Sequence, residues 1–187
     1  MKKSNQLFDN DEHHDSHEFV TWLLDEMHEG LQKIDQPSFV MDLFGGKLQS
    51  TFTCLTCEAH NTRSETFNNL SLDIEKNTSL NYCIQRFSCK ELLNKSNKLH
   101  CEKCLTKQVA TKEIQIQSCP KILLTHLKRF KFDEQTYQHQ KLCYRIPYPS
   151  ELKVDSVEGA RVYQIKGIVV HVGSGMAFGH YYALVKS

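Results

Sequence analysis

Residues 169–186 read Val169-Val-His171-Val-Gly-Ser-Gly-Met-Ala-Phe-Gly179-His180-Tyr-Tyr-Ala-Leu-Val-Lys186. A β-branched run leads into a glycine-containing loop over 173–179, and a second apolar run follows from His180 to Val185. Two strand-prone runs about such a loop predict a hairpin with His180–Val185 as its return strand. A histidine that opens a strand behind a glycine loop is held by the sheet and is still reachable over the loop. Gly179 carries no side chain, so a backbone or a thiolate can come close. That arrangement suits His180 as a general base for a cysteine nucleophile. His126, His139 and His171 read as satisfied polar groups instead.

Upstream of the hairpin the chain is mostly strand-like. Ile122 to Phe132 forms one long strand-like run after Pro120, and a polar loop over 133–141 follows it. Tyr163 to Val172 is rich in Val and Ile, and Ile114-Gln-Ile116 alternates as a half-buried strand. Leu48, Thr51, Thr53, Phe67, Leu70, Leu72 and Ile74 lie in short Thr-rich stretches that also predict strands. Residues 79–94 read as a short helix that includes Leu92-Leu93. Near the start, Asp15 is a good N-cap, and Glu18 three residues on completes a capping-box pattern. Phe19, Leu23, Met27 and Leu31 then recur every fourth residue as an apolar helical stripe, which Gln36-Pro37 stops. Residues 1–14 are a polar lead-in containing His13 and His14. Helix first and strands afterwards predicts an α+β fold.

Cys54-Leu-Thr-Cys57 and Cys101-Glu-Lys-Cys104 are two C-x2-C knuckles. Two thiolates at that spacing can face inward from one tight turn, and two such turns supply four soft ligands for tetrahedral zinc. The 43 residues between the pairs exceed a simple zinc ribbon and leave room for strands and a helix. Zn2+ is therefore expected as a structural ion. Cys83, Cys89, Cys119 and Cys143 are isolated and read as small buried hydrophobes.

Composition sets the boundaries. The chain has 187 residues, 23 Lys plus Arg against 22 Asp plus Glu, and a net charge of +1. At that length one domain is expected. With 40% hydrophobic and 24% charged residues, wholesale disorder is excluded. The balanced charge argues against a coat for nucleic acid or anionic membrane, and no apolar run is long enough to span a bilayer. Met1 to Glu12 lacks the apolar core of a secretory signal, so an intracellular location, cytoplasm or nucleus, is expected. Eight cysteines in a reducing compartment are thiols or metal ligands rather than disulfides.

Together these blocks resemble the catalytic domain of the ubiquitin-specific proteases. Asp15-Ser-His-Glu18-Phe19 is similar to the family's Gln-Gln-Asp-Ala-His-Glu-Phe helix start, with His13-His14 in place of the glutamines. The two cysteine pairs resemble its zinc-binding fingers, Leu127-Lys-Arg-Phe130 its Leu-Lys-Arg-Phe strand, and Gly179-His180-Tyr181 its histidine box. The blocks stand in family order from residue 15 to 187. Cys-Leu-Thr-Cys-Glu, His-Leu-Lys-Arg-Phe-Lys and Val-His-Val-Gly-Ser-Gly are most similar to the subgroup activated by a WD40-repeat partner. The resemblance implies a papain-like hand: a thumb helix over 15–38, zinc-bound fingers over 39–120 and a palm over 121–187. It implies cleavage after the ubiquitin C-terminal glycine, by thiol attack, an acyl-enzyme and hydrolysis. His180 matches the base. Asp15 and Glu18 match positions that meet the arginine-rich ubiquitin tail. Their i, i+3 spacing puts both carboxylates near one helical face. Gly179 and Tyr181 fall in the same substrate-binding region, and 173–179 resembles a blocking loop over the tail.

Two catalytic members of the family have no counterpart in the sequence. The family nucleophile sits in a Gly-x-x-Cys block before the helix, whereas the first cysteine here is Cys54, inside a knuckle. Cys143-Tyr144 bears only a superficial likeness to that block. After His180 come Tyr-Tyr-Ala-Leu-Val-Lys-Ser, with no Asp or Asn to act as the third member. An imidazole without a thiol performs no acyl transfer. The expectation is an inactive piece of a deubiquitinase, truncated at both ends. The alternatives are a catalytically dead paralogue that binds ubiquitin or a partner, and an unrelated zinc-ribbon module for nucleic acid, which the charge disfavours.

Overall fold

The computed structural model describes residues 8, 13–134, 137–173, 175 and 178–187. Most of the polar lead-in, three positions of the 173–179 loop (Ser174, Met176, Ala177) and Gln135-Thr136 of the 133–141 loop lie outside the described residues.

Helix α1 spans Ser16–Lys33. Asp15 caps it with extended backbone, and its carboxylate accepts the His17 backbone N–H at 2.6 Å. That satisfies one of the donors a helix start leaves without a partner. The expected apolar stripe is only partly covered: Leu24 is buried, while Met27 and Ile34 are exposed. The main element packed on α1 is a six-residue helix, α2, Phe39–Phe44, for which no helix had been expected. Ser38 explains the difference, because its hydroxyl caps α2 through the Met41 N–H and also meets His28 Nδ1 at 2.7 Å.

A long antiparallel sheet follows. Strands β1 (Gly46–Cys54) and β2 (His60–Phe67) form a hairpin in unbroken register from Gly46↔Phe67 to Thr53↔His60. Residues 70–72 form β3, and Leu80–Phe87 form α3, capped by Ser79. The helix stops at Phe87, short of the expected reach to residue 94. Glu91–Leu93 instead form β4, and Leu92 pairs with Thr111. Two three-residue strands, β5 (Leu99–Cys101) and β6 (Thr106–Gln108), make a separate hairpin. The alternating stretch Ile114-Gln-Ile116 sits inside β7, Ala110–Ser118, and the sheet order is β2-β1-β7-β4.

The expected single strand over Ile122–Phe132 divides in two. Strand β8 (Thr125–Leu127) runs parallel to β3, and β9 (Phe130–Asp133) pairs with β10 (Gln138–Lys141). The chain changes partners at Lys128-Arg129. The Lys128 N–H donates to the Leu72 carbonyl, and the Arg129 carbonyl accepts from Leu142 N–H. Arg129 Nη1 fixes the break by donating to the carbonyls of Leu142 and Tyr144 at 3.1 and 2.9 Å. Strand β10 lies where a polar loop had been expected, because cross-strand bonding to β9 outweighs its polar composition. Strands β11 (Glu151–Val154) and β12 (Arg161–Gln164) pair, and β13 (Gly167–Val172) and β14 (His180–Val185) form the expected hairpin.

The core joins these elements: Leu70 and Leu72 of β3, Cys83 and Ile84 of α3, Ile116 of β7, Leu152 and Val154 of β11, with Ile74, Leu142 and Ile146. Leu72 is 0% exposed. Replacing Leu72 by Ala leaves a cavity at the parallel seam and is expected to cost about 3–5 kcal/mol. A lower urea midpoint at unchanged slope is the readout. Cys83 is buried as expected, but Cys89 and Cys143 are exposed and Cys119 half-buried, which corrects the reading of all four as buried hydrophobes. Among the described residues no helix is long and apolar enough to cross a membrane.

Candidate functional site

The two C-x2-C segments become two hairpin turns of the same construction. Cys54 ends β1, Cys101 ends β5, and each second cysteine lies in the turn that follows. In both turns the N–H four residues after the first cysteine returns to that cysteine's carbonyl: Glu58 to Cys54 at 3.0 Å and Leu105 to Cys101 at 2.8 Å. In both, the residue after the second cysteine has positive φ, 58° at Glu58 and 58° at Leu105. That left-handed step costs a side-chain-bearing residue energy and curls the turn around its thiols. Pairing of Cys54 with Ala110 on β7, and the Leu55 N–H to Val109 carbonyl bond, set the first turn in the sheet.

The four thiols converge. One ligand atom from each of Cys54, Cys57, Cys101 and Cys104 lies within 4.8 Å of the others, and Cys57 Sγ is 3.6 Å from Cys101 Sγ. Backbone donation from Cys57 lowers the Cys54 thiol to about 7. Hydrogen bonding to Cys57, with the remaining thiols, raises Cys104 to about 12. Four thiolates repel one another unless a cation sits among them, so this donor set is suited to a soft, tetrahedral divalent ion.

A second site lies at the start of α1. A cavity of about 360 Å³ is lined by Asp15 and Glu18 of α1, by Gly179 and Tyr181 of the hairpin, and by His126 and His171 among others. All four substrate-binding candidates thus meet in one hollow. Register explains the hairpin's share, because His171 faces Tyr181 across β13–β14 with ring centroids 4.7 Å apart. His180 is exposed and does not line the cavity. Alternation along β14 puts it on the face opposite Tyr181. Among the described residues no hydrogen bond joins a cysteine thiol to His180.

Lys141 secures the loop end of the hairpin. Its Nζ lies 2.8 Å from His171 Nδ1 and donates to the carbonyls of His171 and Gly173 at 3.1 and 2.6 Å. Gly173 has φ +140°, a conformation side chains resist. The other edge of the His171 ring lies against Gly179, where an added Cβ would stand 1.9 Å from Nε2. Burial, then the Lys141 charge, holds the His171 imidazole below its ordinary range. Burial and the neighbouring His17 do the same to His126, with Asp15 opposing. Burial and the Asp15 charge push Tyr181 upward. Two rings of the hollow, His126 and His171, are therefore biased toward their neutral form.

His126 and His171 were expected to be satisfied polar groups. Both have partners, Ser71 Oγ and Lys141 Nζ, but both also line the cavity. His13, His14, Lys128 and Phe130 line it too, and sequence reasoning did not single them out for it. One signal was available: residues 126, 128 and 130 share a parity that strand-like alternation places on one side.

Residues 1–187 match the family described as "Ubiquitin carboxyl-terminal hydrolase". The chain is 38% identical to the Schizosaccharomyces pombe protein named "Probable ubiquitin carboxyl-terminal hydrolase 9", covering 100% of this chain and 34% of that one. It is 38% identical to "Ubiquitin carboxyl-terminal hydrolase 4" of Arabidopsis thaliana, covering 100% and 61%. Among solved structures it is similar to the SAGA Ubp8/Sgf11/Sus1/Sgf73 DUB module bound to ubiquitin aldehyde. There the TM-score is 0.83 at 29% identity, over 99% of this chain and 44% of that chain. A structure of the module bound to monoubiquitin gives a TM-score of 0.84 at 30% identity, over 98% and 43%. The chain thus spans between about a third and three-fifths of the lengths of these relatives.

Proposed function

Because the chain belongs to the ubiquitin carboxyl-terminal hydrolase family, we propose that its cavity receives the basic C-terminal tail of ubiquitin and that the chain alone does not hydrolyse it. The observation that carries the binding half is the meeting of Asp15 and Glu18 with Gly179 and Tyr181 in one hollow. Carboxylates beside an aromatic wall and a bare glycine suit an extended segment carrying arginine. His180 is assigned as the general base, on the outer face of β14. The division into thumb (15–38), fingers (39–120) and palm (121–187) belongs to the same proposal.

The second half follows from the cysteines. Acyl transfer needs a thiolate that the base can reach. Four of the eight are gathered in the knuckles, Cys83 is in the core, and the other three have no bond to His180 among the described residues. We assign Zn2+ to Cys54, Cys57, Cys101 and Cys104, where it would tie the two turns together as a structural ion. A WD40-repeat activator rests on motif resemblance alone; the subunits named with Ubp8 are Sgf11, Sus1 and Sgf73.

Titration of labelled ubiquitin tests the binding. Asp15→Asn keeps the N-cap and removes the charge, and Glu18→Gln removes the second charge. Each is expected to weaken binding by about 10-fold, the lower end of a charge-assisted hydrogen bond's worth of about 1.5–3 kcal/mol. Unchanged affinity in both variants removes these residues from the site. A fluorogenic ubiquitin C-terminal conjugate tests the chemistry, and no release by the purified chain is expected. Release that His180→Ala abolishes refutes the proposal of inactivity.

A further inference from the structure

Two residues that line the cavity, Asp15 and His126, join His17 behind them in a donor set unrelated to the knuckle cysteines. His17 of α1 and His126 of β8 stack face to face, with ring centroids 3.8 Å apart and planes 9° from parallel. One ligand atom each from Asp15, His17 and His126 lies within 4.8 Å of the others. Two imidazoles and a carboxylate are the donors that bind a borderline transition ion in preference to magnesium or calcium.

The surrounding hydrogen bonds prepare these rings. Asn68 Nδ2 donates to Asp25 Oδ1 at 3.1 Å, and Asn69 Nδ2 donates to Asn68 Oδ1 at 2.8 Å. The chain of bonds turns the Asn69 carbonyl oxygen toward His17 Nε2, at 3.0 Å. An amide oxygen only accepts, so Nε2 carries the proton and Nδ1 of His17 keeps a lone pair. His126 Nδ1 meets Ser71 Oγ at 3.2 Å, which leaves Nε2 as its other donor position. A hydrogen bond on the far nitrogen is how metal-binding histidines are commonly oriented. Asp15 spends Oδ1 on the helix cap and retains Oδ2.

We propose that Asp15, His17 and His126 bind a divalent transition ion, Zn2+ or a metal of similar preference, at the edge of the cavity. Ligands of an ion with bonds of 2.0–2.1 Å stand about 3.4 Å apart. The stacked rings have nearly that spacing, and ion binding fans them out of their parallel arrangement so that both lone pairs converge. Asp15 is also the carboxylate assigned above to the ubiquitin tail. On that reading, the ion and the basic tail compete, and the metal inhibits binding.

Calorimetric titration of the full chain with Zn2+, its finger site already loaded, tests the metal site without reference to ubiquitin. One additional equivalent is expected. Asp15→Asn, which keeps the cap, weakens it at least 10-fold, and His126→Gln abolishes it. In imidazole nitrogen spectra, Zn2+ shifts the rings of His17 and His126, a readout that requires no variant to fold. The absence of a further equivalent overturns the proposal. So does an equivalent that survives His126→Gln and disappears when His13 and His14 are replaced by Ala. Competition is measured separately, as ubiquitin affinity with and without the additional Zn2+. A chain that binds the ion but shows no ubiquitin binding even without the additional Zn2+ upholds the metal site and refutes the tail assignment.

Discussion

Chelation is expected to lower the thermal midpoint by on the order of 10 °C, through the ion proposed for the four knuckle cysteines. The hairpin carrying Cys101 and Cys104 has strands of three residues each and, among the described residues, no further strand beside it. A two-stranded hairpin is marginal in water by itself. Its attachment therefore depends on what joins its thiols to Cys54 and Cys57. An ion at about 1,000 times its Kd contributes about 4 kcal/mol, and a domain of this size shifts by roughly 2–4 °C per kcal/mol. Cys101→Ser removes one ligand from a buried position and is expected to act in the same direction. Thermal melts with and without a strong chelator decide it. A midpoint that neither chelation nor Cys101→Ser moves would show that the four thiols hold no stabilising metal.

The second large effect is expected at Gly179. An alanine there puts its Cβ 1.9 Å from His171 Nε2, 2.6 Å from Cε1 and 2.8 Å from the Val172 carbonyl. The ring has little room to withdraw, because Lys141 holds its other nitrogen and the adjoining carbonyls. Forcing atoms into such a space costs about 1–3 kcal/mol. The loop end of the hairpin and the wall of the cavity must shift together. Ubiquitin affinity is expected to fall at least 10-fold while the far-ultraviolet circular dichroism is unchanged. Adding His171→Ala to Gly179→Ala creates the missing space, so a double-mutant cycle is expected to show coupling between the positions. Independent, additive losses would argue that the ring and the glycine do not press on each other.

The local signals in the sequence were those tied to one turn or one cap. Asp15 reads as a cap because its carboxylate needs only a neighbouring N–H, and the bond to His17 is that contact. The knuckle spacing and the 173–179 loop likewise depend on nearby residues. Features set by distant partners were harder to see. The strand over Ile122–Phe132 looked continuous because no local residue shows that β8 will pair with β3 and β9 with β10. Leu92-Leu93 suits a helix until β7 lies beside it. For the cavity, motif likeness to the family pointed to Asp15, Glu18, Gly179 and Tyr181. The shared wall of His126 and His171 depends on the meeting of β8 with the β13–β14 hairpin, which no short window contains.

The parallel β3–β8 seam also orders events in time. Leu70 pairs with Thr125, and His17 stacks on His126, so neither contact exists until more than half the chain has been made. The four knuckle thiols are all present once residue 104 has emerged. At about 5–20 residues per second, several seconds separate that moment from the arrival of Tyr181. The two cysteine turns therefore have time to fold as a platform during synthesis. The cavity, whose walls come from both extremes of the sequence, closes last.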